Sequence, residues 1–571
     1  MKPSNRLQRS TVISLLLLLS WTGLGLGIRL FNLGFKPPSS IEIATIGYSL
    51  GHGFNQIPLD RIVGLDTLLA SLRLDTAIGY TEVFERLRAE STHPPLYFWL
   101  TRWWVGIWLN NGDLVSLSIA RSLSALFGTL AIPSIFLLGW VGFGSRLIAH
   151  FAAILMAFSP YGIYLAQEAR HYTLTILWVI ASLFCLIEAL KLIRQKKAVP
   201  LWLSFVWILV NGLGLATHYF YALSLSAEAI AVLIFVLLIR DRQPVRYLRS
   251  LSLVGIGTLV TGLVWLPLAT SISGNEMTTW IATSYDLDDI LLPIPRLLTW
   301  MITMLMLLPV EGVSKTIAVL SGLIILCVLV WAMPVLIQQW RRAIANLPTR
   351  YPTIIVLGYL FGSLVSFLVV IYGMGKDISL AARYHFVYFP ALILLLAIAL
   401  ANCKLRATSY SYSKTHNKVV NIILIMALLG SLTVVTNFGF QKSRRSDSLA
   451  AYIQQTAKAP TLIAMSHNTH SEIRELVALA SSFRRFEIIE HRSTAPLFVL
   501  VSNDRIEQEN FASNLKQILR TQDRPLELVG LNLNFEDEDL AKLGCKRNKG
   551  RNLSDSGYGD RFFTCNFSNR D

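Results

Sequence analysis

The chain is short of charge. Of its 571 residues only 15% are Asp, Glu, Lys or Arg, and 53% are hydrophobic. An ordinary soluble domain carries about 25% charged residues. The deficit excludes intrinsic disorder and the string of about four soluble domains that length alone would suggest. Cysteine is scarce, with five residues, which excludes a small disulfide scaffold. There is no Walker loop, no G-x-G-x-x-G opening a helix after a strand, no H-E-x-x-H and no zinc-like cysteine cluster. The chain therefore does not power itself with ATP and does not obviously carry NAD. Any chemistry must draw on a preactivated substrate.

What is present is long apolar sequence. Eleven runs are long enough to span a bilayer, at about 20 residues each: 11–31, 117–140, 147–165, 172–191, 201–218, 223–239, 251–270, 316–338, 352–373, 384–403 and 419–438. The first follows a basic start, MKPSNRLQRS, yet is long and lacks a clear cleavage site, so it reads as a retained helix with its N-terminus cytoplasmic. The formal charge is +16. In a soluble protein that excess would suggest nucleic acid; here it reads as basic connectors on one side of a membrane. With the N-terminus inside, the inner connectors hold 19 Lys/Arg and the short outer ones five. This bias supports the orientation and puts the C-terminal tail outside.

Two further apolar stretches, 94–109 and 297–309, are too short to cross. The first holds Trp99, Trp103, Trp104 and Trp108, residues suited to the membrane–water interface. Both read as helices lying on or dipping into the outer surface. The expected organisation is a first transmembrane helix (1–31), an outer loop with juxtamembrane helices (32–116), a transmembrane bundle (117–440) and a soluble outer domain (441–571). In that last segment, helical patterns at 447–457, 470–483 and 504–520 alternate with strand-like TLIAM (461–465), FEIIEH (486–491), LFVLVS (497–502), LELVGLNL (526–533) and FFTCNF (562–567). The alternation predicts a small α/β domain. Segment 546–560 reads as a loop. Cys545 and Cys565 could pair across it in an oxidising compartment; Cys185, Cys327 and Cys403 read as packing residues.

Polar groups gather near the predicted outer face: Glu42, His93, Arg121, Glu168, Arg170, His171, Tyr172, His218, Tyr219, Tyr221, Arg383, Tyr384 and His385. Carboxylates there could activate a hydroxyl, and arginines could hold a phosphate. Four strings stand out. STHPPLYFW (91–99) fixes an extended approach to the Trp-rich helix; the plain alternative is a rigid helix start. SPYGIYLAQEARHYTL (159–174) puts Glu168 and Arg170 at a junction of two spans, either as a site or as an ion pair in an aromatic belt. AARYHFVYFPAL (381–392) puts Arg383 and Tyr384 at the mouth of a span, as a phosphate contact or as an ordinary anchor. SSIEIATIGYSLGHGF (39–54) has one acid, Glu42, on an otherwise apolar helix, where a buried carboxylate needs a partner or a function.

Together, in this order, these strings resemble the glycosyltransferase family 39 group. That group contains the dolichyl-phosphate-mannose protein mannosyltransferases and the bacterial aminoarabinose transferases, integral-membrane enzymes of the GT-C superfamily. The resemblance covers roughly residues 10–440. HPPLY (93–97) and QEAR-x-Y (167–172) carry most of it, and the Arg383–Tyr384 pair adds less. It implies a polytopic α-helical GT-C-like fold, with about 11 transmembrane helices and the small C-terminal α/β outer domain. It implies an inverting transfer of a sugar from a polyprenyl-phosphate donor to a glycan, lipid or protein acceptor, on the outer face of the plasma (inner) membrane.

The family's catalytic pattern, an Asp-Glu pair opening a juxtamembrane helix, falls on Ile41 and Glu42. The second acid is present and the first is not. Three outcomes are open. Glu42 takes over as base; another acid (Asp60, Asp66, Asp75 or Glu168) reaches in; or the protein binds a lipid-linked sugar without turning it over. Arg383 is assigned to the phosphate, with Arg170 and Arg121 as second candidates. Glu42 is the base or acceptor-positioning group, and Glu168 orients Arg170 or binds acceptor. His93 shapes the loop, and Tyr172 and Tyr384 line the substrate. No cofactor is required; a divalent ion between Glu42 and Glu168 is compatible with the scheme, as in related oligosaccharyltransferases. The rival classes are a lipid-sugar transporter or flippase and a catalytically silent binding protein. The spans lack the midplane charges and broken repeat helices that a transporter tends to carry.

Overall fold

The computed structural model describes residues 3–91, 93–239, 245–265, 267, 289–405, 410–490, 495–502, 508–522, 524–533, 537–542, 544–548, 550–551, 553 and 556–566. The chain is a multi-pass helical membrane protein. Each of the eleven apolar runs is mostly helical over its described part, but they are not equal. Seven helices are by themselves long and apolar enough to cross: Ser10–Leu30, Leu117–Phe143, Tyr172–Arg194, Tyr221–Leu238, Lys315–Ala345, Leu347–Gly373 and Lys414–Val435. A further pair, Arg146–Phe158 and Pro160–Ala166, is long and apolar enough only when taken together and is bent by 55° at its break. Leu201–Thr217, Arg249–Leu263 and Phe389–Lys404 are shorter apolar helices. The predicted run 251–270 extends outside the described residues. The interfacial candidates are helices Leu96–Trp108 and Pro293–Thr303, of 13 and 11 residues. At 1.5 Å per residue neither reaches across a ~30 Å hydrocarbon core.

The bend has a local cause. Ser159 is extended, Pro160 sits at the first helical position where its missing N–H costs nothing, and Ser159 Oγ accepts from Gly162 N at 3.1 Å. The helix before the break would leave its last carbonyls unpaired. Arg29, fully buried, donates to Met156 O at 2.8 Å and Ala157 O at 3.0 Å.

The described chain divides into two compact units. One comprises Met1–Leu33, Thr92–Tyr97 and Arg121–Gln441; the other comprises Gly34–Ser91, Phe98–Ala120 and Lys442–Asp571. The long first loop thus joins the C-terminal segment in one unit, where the sequence reading kept 32–116 and 441–571 apart. The reason is a sheet. Its six strands are β1 (Ile62–Val63), β2 (Thr461–His467), β3 (Leu497–Ser502), β4 (Leu526–Leu531), β5 (Cys545–Arg547) and β6 (Arg561–Cys565), in the order β1-β3-β2-β4-β6-β5. The core β3-β2-β4 is parallel, and β1, from the first loop, caps one edge antiparallel. Parallel strands covered on both faces read as continuous apolar runs, and β4 is buried at every position.

Two local readings of this unit change. FEIIEH is not a strand: helix His470–Glu490 runs through it, and His491 lies outside the described residues. No Gly or Pro interrupts 470–490, and extending a helix costs less than ending it uncapped. Residues 545–547, partly assigned to a loop, form β5, whose burial gives no alternation to read. Cys545 and Cys565 face each other across β5 and β6 and form a disulfide. Reducing it should destabilise this unit by roughly 3 kcal/mol. Denaturant unfolding of the full chain in lipid, with and without reductant, measures the shift.

Candidate functional site

In the first unit, two of the sequence strings meet on one serine. The short helix Pro160–Ala166 ends at Gln167, whose Nε2 donates to Phe31 O at 2.9 Å. The turn 167–171 then leads into helix Tyr172–Arg194. Ser124 Oγ donates to Arg170 O at 2.9 Å and accepts from Arg170 N at 3.2 Å. Tyr97 Oη lies 2.6 Å from the same oxygen and, with that hydroxyl's proton already given, is the donor. HPPLY and QEAR-x-Y are thereby fastened together through a helix neither string names.

The fastening sets a polar nest. Arg170 Nη2 donates to His93 Nε2 at 3.2 Å and to Tyr172 Oη at 3.3 Å, and its guanidinium lies 5.5 Å from the Tyr172 ring. The His93 and His171 rings are 5.2 Å apart, and those of His171 and His218 are 4.5 Å apart. His218 packs on Tyr384 at 6.4 Å, and the Arg383 guanidinium is 5.1 Å from that Tyr384 ring. Tyr161 Oη donates to Ala382 O at 2.9 Å and pins the Arg383 turn. Arg170, His171, Tyr172 and His218 are buried. The structure therefore gathers His93, Arg170, Tyr172, Arg383 and Tyr384 of the sequence-predicted set, and adds His171 and His218, to which the sequence assigns no role beyond a place near the outer face. The missing signal was pairing: nothing in sequence says that a residue at 218 meets one at 93.

Burial pushes the His171 imidazole well below its ordinary range, and the neighbouring His218, Arg170, His93 and Arg383 push it further. His218 is pushed down to about 3 by burial and then by Arg170 and Arg383. Both rings are neutral at physiological pH. An unfolded chain takes up these protons near pH 6.5, so stability is full above 6.5 and falls as pH drops from there toward 3. At pH 5 His218 alone should cost roughly 2 kcal/mol, and His171 adds to the loss in the same direction. Melting temperatures from pH 8 to 5 should fall, and His218→Phe should flatten the slope. A slope unchanged by that variant would contradict the assignment.

His93, His171 and His218 also present ring nitrogens within 4.8 Å of one another, the spacing of a metal set. Their tautomers point elsewhere. Arg170 can only donate, so His93 Nε2 is an acceptor. His218 Nδ1 accepts from Phe220 N at 2.9 Å, which leaves the proton on Nε2. A ring nitrogen carrying a proton is no ligand, and two guanidinium groups act on the same cluster. The donor set fits an anion better than a cation.

The remaining predicted residues sit as follows. Arg121 is fully buried and donates to Leu33 O at 2.9 Å. Glu168 is buried in the 167–171 turn, its carbonyl accepting from Arg170 N at 2.7 Å. Glu42 belongs to the second unit, at the start of helix Ser40–Ser49. It closes a capping box, Oε2 accepting from Ser39 N at 3.2 Å, and pairs with Lys442 Nζ at 3.3 Å; its side chain is fully buried. The buried carboxylate does have its partner, a lysine 400 positions away that sequence reasoning missed. The three first-loop Asp residues named as alternatives bond within the second unit. Asp60 accepts from Ser502 N at 3.0 Å on the sheet edge, Asp66 pairs with Arg73 at 2.9 Å, and Asp75 caps Ala77 N at 2.9 Å.

The chain is a multi-pass helical membrane protein with a small sheet-bearing unit, and its fold is GT-C-like. The chain is similar to the crystal structure of ArnT from Cupriavidus metallidurans bound to undecaprenyl phosphate, with TM-score 0.51 and 12% identity, over 96% of this chain and 97% of that one. It is likewise similar to ArnT from the same organism in the apo state, with TM-score 0.50 and 12% identity, over 96% and 98%. At that identity the likeness is one of fold. No family model and no curated protein sequence matches the chain.

Proposed function

We propose that the protein is a membrane glycosyltransferase of the family 39 kind, moving a sugar from a polyprenyl-phosphate donor to an acceptor on the outer face of the plasma membrane. The observation that carries this reading is the nest. Two arginines, two neutral histidines and two tyrosines converge in a largely buried nest, and all of them except His218 come from the strings that resemble the family. The fold neighbour bound to undecaprenyl phosphate fits the same reading.

In the reaction, an acceptor hydroxyl oxygen attacks the anomeric carbon and its bond to the phosphate oxygen breaks. The electron pair leaves with the polyprenyl phosphate, and the hydroxyl proton passes to a carboxylate. Arg383 and Arg170 neutralise the departing phosphate, where charge develops in the transition state. His218 donates a hydrogen bond through its Nε2–H and keeps the proton, and Tyr172 and Tyr384 frame the arginines. Glu42 is the base or acceptor-positioning group, and Glu168 holds the turn that aims Arg170. The disulfide Cys545–Cys565 suits an extracytoplasmic position for the C-terminal segment.

A second reading, a protein that binds the lipid-linked sugar without turnover, is favoured by Ile41 and by the engagement of Glu42 with Ser39 and Lys442. The two share the donor site, so its test comes first. Full-length protein in lipid should bind a polyprenyl phosphate at least tenfold tighter than the matching polyprenol. Equal affinity for the two would refute a phosphate site.

A further inference from the structure

The second unit holds a cleft that the donor site does not use. It lies between helix Leu96–Trp108 and segment 74–80, with a volume of about 530 Å³, within the ~300–1,000 Å³ usual for ligand sites. Its walls include Tyr80, Trp103 and Ile107, each about half exposed. Trp103 and Ile107 are four residues apart, on one helix face. Arg102 lines the same cleft and is 8% exposed.

The partners of Arg102 are the informative part. Nη1 donates to Leu50 O at 3.2 Å, and Nη2 donates to Asp75 O at 2.9 Å and to Ile78 O. All three are backbone carbonyls. The nearby carboxylates act on Arg102 through space without bonding it: Asp75 Oδ1 accepts from Ala77 N at 2.9 Å, and Glu82 Oε2 from Gly79 N at 2.9 Å. Among the described residues the guanidinium has a fixed geometry and no ion pair to a carboxylate at hydrogen-bond distance. A guanidinium keeps its charge in such surroundings, and its attraction for an anion grows as the local dielectric falls.

An aromatic and apolar wall beside one fixed cation suits an amphiphile with one negative headgroup. Trp103, Ile107 and Trp108 are exposed on this short helix, the composition of an element lying at a membrane surface. We propose that the cleft binds an anionic phospholipid, with its phosphate against Arg102 and an acyl chain along Trp103 and Ile107. The site is separate from the donor reading and stands or falls without it.

The test is native mass spectrometry of the full-length protein, delipidated in a neutral detergent and titrated with phosphatidylglycerol, phosphatidylcholine or glycerol phosphate. Two variants go beside it. Arg102→Gln removes the charge. Gly106→Leu fills the cleft: Gly106 lines it, and a Cβ built there meets nothing within 4 Å, so a side chain has open space to enter. The expected result is one tightly held phosphatidylglycerol in the wild type that both variants lose, bound ~5–10-fold better than phosphatidylcholine, with no retention of glycerol phosphate. Three results would overturn the proposal. They are equal retention of the two lipids, an unchanged phosphatidylglycerol count in Gly106→Leu, or glycerol phosphate held as well as the lipid.

Discussion

Alanine at Arg383 should lower the affinity for polyprenyl phosphate by about a hundredfold or more, since truncating one partner of a buried charge pair costs ~2–5 kcal/mol. Place matters here as much as charge. The Arg383 turn is anchored by Tyr161, and its guanidinium lies against Tyr384 and acts on His171 and His218. Little of the loss can be recovered by rearrangement in so packed a region. Lysine should restore only part, because an ammonium keeps the charge and loses the two-pronged geometry. Arg170→Ala should be of similar size and not additive with it, since both serve one anion. Equilibrium binding of a radiolabelled polyprenyl phosphate to the protein in lipid reads all of these. Wild-type affinity in Arg383→Ala would remove Arg383 from the site.

Glutamine at Glu42 should abolish transfer, by ~10²–10⁴-fold, while leaving donor affinity within about threefold. Glutamine at this position still closes a capping box. The complication is Lys442, which loses its anion in a buried setting, a change that by itself destabilises by ~3–5 kcal/mol. Pairing Glu42→Gln with Lys442→Met removes the stranded charge and separates the two roles. If Glu42 is the base, the double variant is stable and inactive. If the double variant regains transfer, Glu42 serves only to neutralise Lys442, and the base lies elsewhere.

How much of this was legible in the sequence depends on the range of the interaction. The apolar runs announced the long helices seen among the described residues, because a span is a local property of about 20 residues. They could not announce the break at Ser159, which needs Arg29 from another helix to satisfy the freed carbonyls. Arg170, Arg383 and His93 were legible because they stand in compact strings. Ser124, which joins two of those strings, stands in an ordinary apolar helix and carries no mark. His171 and His218 were visible as polar residues near one face, but their contact was not. Lys442 sits in a basic run, KSRR, that reads as solvated charge until its partner is known. Asp60 looked like a spare acid and is spent on a strand edge that arrives from residue 502.

The central claim, transfer from a lipid-linked sugar, is tested most directly by one experiment. Full-length protein in lipid vesicles is incubated with radiolabelled polyprenyl-phosphate sugars and a crude envelope extract, beside Arg383→Ala and the Glu42→Gln, Lys442→Met pair. The account predicts label moving into an acceptor with the wild type, and none with either variant. Donor bound by the wild type with no label transferred from any of the sugars would contradict a transferase and leave the binding reading standing; label transferred equally by Arg383→Ala would contradict the site itself.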